Sequence, residues 1–172
     1  MCQTQRGALN VIAGVPTTGA LVKLIGSWKY HGVRGLAWPL AELAGPVLHG
    51  DDSKCILIPV PLHRSRLRER GFNQARQLAE LLAQAHGLEV RNDILIRNRP
   101  TPQQAKLDSH ATARSLNVSK SFHTHPATGD TRSLILVDDL VTSGATVLAA
   151  AQSLREAGWS VNTVCAIGVS SA

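Results

Sequence analysis

The chain has 172 residues, of which 44% are hydrophobic, and this is enough for one compact core. Its formal net charge of +6 favours polyanionic partners, which include nucleotides and nucleic acid. No apolar run approaches the ~20 residues of a transmembrane helix, and the start lacks a signal-peptide pattern. We therefore expect a single domain over residues 1–172, soluble and cytoplasmic, with no membrane span; the sequence does not indicate an oligomeric state.

The first part of the chain carries apolar residues at helical intervals. They fall in residues 20–30 and 36–43, and glycines and Pro39 interrupt them. We therefore predict that residues 1–50 are mostly helical.

The middle of the chain has the element order of a βαβ unit. The apolar run CILIPV, residues 55–60, predicts a buried parallel strand. A basic loop over residues 62–71 and an amphipathic helix over residues 73–87 follow it. DILI, residues 93–96, is a candidate second strand.

The last part of the chain predicts a second strand–helix–strand unit. Residues 97–112 are polar and contain two prolines, which indicates a long loop of the kind that is functional or disordered. SLILVD, residues 133–138, is the strongest strand signal; a helix that Gly158 can terminate follows, and residues 160–169 form the next strand. The predicted fold class is therefore α/β, with a mostly parallel sheet flanked by helices.

The strand at residues 133–138 ends in a loop that suits a phosphate group. In LILVDDLVTSGAT, residues 134–146, small hydroxyl residues open directly into a helix. Backbone N–H groups and hydroxyls of such a loop can point at a phosphate above the helix N-terminus. The candidate phosphate-binding residues are Thr142, Ser143, Gly144, Ala145 and Thr146.

Two adjacent carboxylates, Asp138 and Asp139, precede this loop. They lie too close to the phosphate to bind it, because like charges repel, but they suit neighbouring sugar hydroxyls or Mg²⁺. The alternative is that both side chains only cap the following helix.

The segment resembles the phosphoribosylpyrophosphate-binding motif of type I phosphoribosyltransferases. The resemblance implies that fold, with residues 1–50 as a small helical hood, and 5-phosphoribosyl-1-pyrophosphate with Mg²⁺ as ligand. It also implies that Asp138 and Asp139 are the catalytic pair and that they hold the ribose 2′- and 3′-hydroxyls. The same two carboxylates are the candidate Mg²⁺ ligands, through the bound ligand or water. Thr142 stands where the 6-oxopurine enzymes have a general-base Asp, and Thr cannot take a proton at neutral pH. Hypoxanthine and guanine are therefore not expected substrates.

In type I enzymes the crossover after the first sheet strand binds pyrophosphate, and here it is arginine-rich. Guanidinium groups suit a diphosphate. Arg70 is the preferred contact because Gly71 allows a tight turn beside it. The alternative is a solvated loop in which one or two arginines contact ligand. The candidate pyrophosphate-binding residues are Pro61, Leu62, Arg64, Arg66 and Arg70.

A narrower resemblance rests on RGFNQA, residues 70–75, together with WKYHG, residues 28–32, and later Gln104, Arg114, Asn117 and Phe122. From about residue 20 to the C-terminus, the chain resembles the ComF/GntX family of phosphoribosyltransferase-like proteins. That family is tied to competence and DNA uptake, which makes DNA or a DNA-uptake helicase a candidate partner. Many members carry an N-terminal zinc ribbon with paired Cys-x-x-Cys motifs, which this sequence lacks.

The polar loop at residues 97–114 corresponds to the flexible loop that closes over type I active sites. Its candidate contacts are Gln104, Lys106 and Arg114, besides Arg97 and Arg99. A solvent-exposed loop without a catalytic role is the alternative.

Two functions follow from these residues. One is Mg²⁺-dependent transfer of the phosphoribosyl group to a nitrogenous base, which the sequence does not identify. The other is a non-catalytic accessory protein that senses the same ligand or supports DNA uptake.

Overall fold

A mixed sheet of six strands forms the centre of the protein, which we describe from a computed structural model over residues 1–30, 33–48, 55–98 and 121–170. The strand order is β1-β2-β8-β7-β3-β4, and β5 pairs with β6 in a separate small sheet. The strands are β1 (Cys2–Arg6), β2 (Leu9–Pro16), β3 (Ile56–Pro59), β4 (Glu89–Val90), β5 (Leu95–Arg97), β6 (Phe122–Thr124), β7 (Ser133–Val141) and β8 (Ser160–Val169).

Helices cover both faces of the large sheet. One buried cluster joins α1, α2 and α4 to one face, and the other joins α5 and the small sheet to the opposite face. Within the described ranges, no helix is long and apolar enough to cross a bilayer. The helices are α1 (Gly19–Tyr30), α2 (Ala37–Ala44), α3 (Arg64–Arg70), α4 (Gln74–His86) and α5 (Ala145–Glu156), with short 3-10 helices at Arg34–Leu36 and Gly45–Val47.

The sheet is parallel from β2 to β4, and β1 alone runs antiparallel to its neighbour. The central strands β7 and β8 carry the runs of buried apolar residues that a strand covered on both faces requires. The prediction of an α/β fold with a mostly parallel sheet flanked by helices is confirmed.

The N-terminal prediction was wrong for residues 2–16, which form a β-hairpin and not a helix. Leu9, Val11 and Ala13 are fully buried and alternate with less buried neighbours, which is the period of a strand. Gly7 makes the turn with φ +59°. Strand β2 then pairs in parallel with β8, which places the hairpin inside the main sheet. The helices predicted at residues 20–30 and 36–43 are confirmed as α1 and α2.

The stretch predicted as a basic loop contains α3, and this too is a correction. His63 caps the helix through Nδ1, which accepts a hydrogen bond from the Ser65 N–H at 3.3 Å. Gly71 ends it with φ +78°, a left-handed conformation that glycine adopts without strain. The helix fixes which arginines share a face.

The candidate strand DILI is shifted and lies outside the main sheet. Strand β5 covers Leu95–Arg97 and pairs antiparallel with β6, while the short strand β4 lies beside β3. The long loop predicted over residues 97–112 begins inside β5, and from residue 99 onwards it lies outside the described residues.

Candidate functional site

The acidic pair lies near the carboxyl end of β7, at the edge where parallel α/β sheets bind ligands. Asp139 is buried, and Asp138 is partly exposed. Oδ1 of Asp138 accepts the Asp139 N–H at 2.9 Å, and Oδ1 of Asp139 accepts the Leu140 N–H at 2.7 Å. Helix α5 has Gly144 at its N-cap and no side-chain cap bond. The two carboxylates therefore do not cap the helix, and the capping alternative fails.

Lys29, near the end of α1, pairs with the acidic pair. Its Nζ lies 2.5 Å from Oδ2 of Asp139, and the exposed fractions of the two side chains are 18% and 11%. The contact joins the first helix to the end of β7. Sequence analysis missed it, because no local spacing relates Lys29 to Asp139.

Loss of hydration inside the cavity is the main cause that raises the pKa of Asp138, and the negative charge of Asp139 raises it further. Lys29, the N–H of Asp139 and Arg97 act in the opposite direction. The site thus holds a carboxyl group whose negative charge is poorly stabilised.

The loop of Thr142, Ser143 and Gly144 joins β7 to α5 and borders a small cavity of about 40 Å³, which Ala145 and Thr146 also line. Gly144 has φ +77°, so a side chain there would be strained. The first turn of a helix leaves its N–H groups without intrahelical acceptors, and here that turn opens onto the cavity. The loop has the form that the sequence predicted for a phosphate-binding segment.

Arg6 of β1 supports this loop from behind. Its Nη2 donates to the carbonyl oxygens of Ser170 at 2.7 Å and Thr142 at 3.2 Å. A Cβ at position 144 would lie 3.0 Å from Cγ of Arg6, so a side chain there would also crowd the arginine stem. Sequence analysis did not identify Arg6, because it assigned the N-terminus to a helix.

Helix α3 divides its arginines between the cavity and the solvent. Arg66 and Arg70, one helical turn apart, are half-buried and line a cavity of about 150 Å³ between β7, α1 and α3. Arg64 and Arg68 are exposed. The structure therefore brings Pro61, Leu62, Arg66 and Arg70 to this cavity, and it does not bring Arg64 there.

The cavity contains more positive than negative side chains. Lys29, Arg66, Arg70 and Arg97 line it together with the acidic pair, and Thr146 lines both this cavity and the smaller one. Arg97 reaches the cavity from β5, and burial lowers the pKa of its guanidinium. The remaining flexible-loop candidates lie outside the described residues: Arg99, Gln104, Lys106 and Arg114.

The two segments that carried the narrower resemblance are in contact. The Trp28 indole N–H donates to Oε1 of Gln77 at 3.2 Å, and its ring centroid lies 6.3 Å from that of Phe72. Nη2 of Arg70 donates to the Tyr30 hydroxyl at 2.7 Å, and its guanidinium lies 4.8 Å from the Tyr30 ring centroid. The end of α1 and the end of α3 therefore lie against each other and together form one side of this cavity.

The raised pKa of Asp138 leads to a prediction about stability. The folded protein binds this proton more tightly than the unfolded chain, so the group makes folding less favourable as pH rises from the ordinary carboxyl range. Asp138→Asn keeps an oxygen for the Asp139 N–H and removes the titration. We expect it to be more stable than the wild type by on the order of 1 kcal/mol at neutral pH, with no difference near about pH 4.

Urea unfolding across this pH range checks the prediction. Asp93→Asn is the control, because the hydrogen bond from Arg91 lowers the pKa of Asp93 to about 2 and the variant should gain no stability at neutral pH. An Asp138→Asn protein that is less stable than the wild type at pH 7 would contradict the electrostatic account.

Comparison with known proteins finds relatives over the greater part of the chain, although no family model matches it. The chain is 38% identical over 107 residues to competence protein ComFC of Bacillus subtilis, a match that covers 62% of this chain and 41% of the relative. It is 31% identical over 102 residues to competence protein F of Haemophilus influenzae, and 34% identical over 103 residues to DNA utilization protein YhgH of Escherichia coli K12. These two matches cover 59% of this chain and 44% of each relative, so the chain spans less than half the length of its curated relatives. These matches support the resemblance to the ComF family over the matched part of the chain.

Proposed function

We propose that the protein binds 5-phosphoribosyl-1-pyrophosphate at the carboxyl end of β7, within a type I phosphoribosyltransferase fold. One observation carries the proposal: an acidic pair and a group of four cations line one cavity, and this cavity meets the phosphate-type loop at Asp138 and Thr146. A ligand with a sugar between two phosphate-bearing ends needs these three kinds of group in this order.

The ligand would lie with its 5′-phosphate on the N–H groups of the loop, which Arg6 holds in place. Its ribose hydroxyls would donate to Asp138 and Asp139. Its pyrophosphate would lie against Arg66 and Arg70, whose guanidinium groups suit phosphate oxygens.

Two buried donors in the cavity wall support a polyanionic ligand. Within the described part of the chain, Nε of Arg70 and Nε2 of Gln74 are buried without a hydrogen-bond partner. Buried donors normally have one. Oxygen atoms of a ligand, or water, would satisfy them.

Mg²⁺ is part of the proposed reaction, and the acidic pair suits it, since carboxylate oxygens are its usual protein ligands. Asp138 and Asp139 would hold it directly or through water. Bound there, it would neutralise charge on the pyrophosphate. Three of the four carboxylate oxygens already have partners in the Asp139 N–H, the Leu140 N–H and Lys29.

The proposed reaction is displacement of pyrophosphate at ribose C1 by a nitrogenous base. The new C1–N bond forms as the C1–O bond breaks, pyrophosphate leaves with the bonding electrons, and the base loses its proton to water. Thr142 offers no general base, so the acceptor nitrogen must be nucleophilic without one. Pyrophosphate release with a panel of bases distinguishes this enzyme from a protein that only binds the ligand.

Arg66 lines the cavity and Arg68 is exposed, so substitutions of these two residues should affect ligand binding differently. Arg66→Met should weaken binding of phosphoribosylpyrophosphate by about tenfold or more, because a charge-assisted hydrogen bond is lost inside the cavity. Arg68→Met, on the same helix but exposed, is the matched control and should bind like the wild type. Isothermal titration calorimetry measures both, and equal losses for the two variants would argue against the proposed pyrophosphate subsite.

The second candidate function is a non-catalytic role in DNA uptake. The relatives named as competence and DNA utilization proteins favour it, as does the net charge of +6. Arg64 and Arg68 are exposed and available to phosphates of a larger partner. A partner helicase would be an alternative to direct DNA contact.

Direct DNA binding predicts an affinity that falls steeply with salt, because bound phosphates release counterions. Replacing both Arg64 and Arg68 with Met should then reduce the slope of log affinity against log salt by up to about 2. Fluorescence anisotropy with single- and double-stranded DNA measures the slope. Absence of binding at low salt would exclude direct DNA contact.

A further inference from the structure

We infer that Lys29 does for Asp139 what a divalent cation would otherwise do, so that the protein binds phosphoribosylpyrophosphate without requiring Mg²⁺. The inference rests on the proposed function and concerns binding of the ligand, not its turnover. Its basis is the ion pair between Lys29 and Asp139 inside the cavity.

The position of Lys29 is fixed by its neighbours on α1. Trp28, fully buried, packs against Phe72 and donates to Gln77 of α4. Tyr30 accepts a hydrogen bond from Arg70 of α3. Because the residues on both sides of Lys29 contact two other helices, its backbone position is fixed, and from there its ammonium reaches Asp139.

Lys29 meets the electrostatic need that a metal would meet. Asp138 and Asp139 are adjacent in sequence, and their charges oppose each other at low solvent exposure. A cation beside the pair offsets this repulsion and makes the approach of the ligand's phosphate groups less unfavourable. The ammonium is a compact charge with three donors, so it can contact Asp139 and still donate to a ligand oxygen.

The remaining cations of the cavity would neutralise the pyrophosphate, which is the other task of a divalent cation. Arg66, Arg70 and Arg97 line the cavity with Lys29, giving four positive side chains against two carboxylates. A chelated divalent ion is one means of neutralising a diphosphate, and a group of guanidiniums is another. The side chains alone therefore give the cavity a net positive charge that favours a diphosphate.

Lys29→Met should make binding of phosphoribosylpyrophosphate dependent on Mg²⁺. Without the ammonium, the acidic pair lacks its nearest cation, and the ligand would bind well only when Mg²⁺ is present. Lys29→Gln is a second neutral variant that keeps a hydrogen-bond donor. Lys23→Met is the matched control, because Lys23 lies on the same helix and is exposed.

The test is calorimetric titration of each protein with phosphoribosylpyrophosphate, in Mg²⁺ and in excess EDTA, after a melting curve has verified folding. For the wild type and Lys23→Met, we expect the two affinities to differ by less than about threefold. For Lys29→Met and Lys29→Gln, we expect EDTA to weaken binding by about tenfold or more.

A wild-type affinity that falls by about tenfold or more in EDTA overturns the inference, and this comparison needs no variant to fold. Lys29 variants that bind equally in both conditions overturn it as well. Wild-type protein that binds the ligand in neither condition refutes the proposed function itself, which is a separate result.

Discussion

Two adjacent carboxylates near the end of a buried strand impose the main constraint on this site. Asp138 and Asp139 lose hydration and repel each other, and burial raises the pKa of Asp138. The surrounding elements compensate for this cost. Lys29 from α1 pairs with Asp139, and Arg97 from β5 lies close enough to oppose the shift at Asp138. The site therefore depends on elements that are distant in sequence.

The β1–β2 hairpin and helix α3 also contribute residues to the site. The β1–β2 hairpin is part of the main sheet, and its Arg6 fixes the loop between β7 and α5 through Thr142 and Ser170. Helix α3 directs one pair of arginines into the cavity and leaves the other in solvent. A preorganised loop and a preorganised cation group reduce the entropic cost of ordering the site around a ligand.

The sequence predicted those features that depend on local pattern. Strands β7 and β8 and the loop after β7 follow from continuous apolar runs and from Thr, Ser and Gly in a short link. The hairpin was missed although Leu9, Val11 and Ala13 alternate, because the glycines and the helical spacing further along dominated the interpretation.

The contacts of Arg6 and Lys29 could not be predicted in this way. Arg6 and Thr142 are 136 positions apart, and no spacing rule relates them. Lys29 meets Asp139 only because α1 packs across the sheet beside α4. The arginine-rich segment was recognised as basic, but only its helical form separates Arg66 and Arg70 from Arg64 and Arg68.

The central claim is that the acidic pair at the end of β7 holds the ribose of a phosphoribosyl ligand. Calorimetric titration of the wild type and of the Asp138→Asn, Asp139→Asn double variant with phosphoribosylpyrophosphate and Mg²⁺ tests it most directly. The account predicts measurable binding by the wild type and a loss of about tenfold or more in the double variant, because two charged acceptors of the ribose hydroxyls are removed. Equal affinities for the two proteins, with both folded, would contradict the assignment.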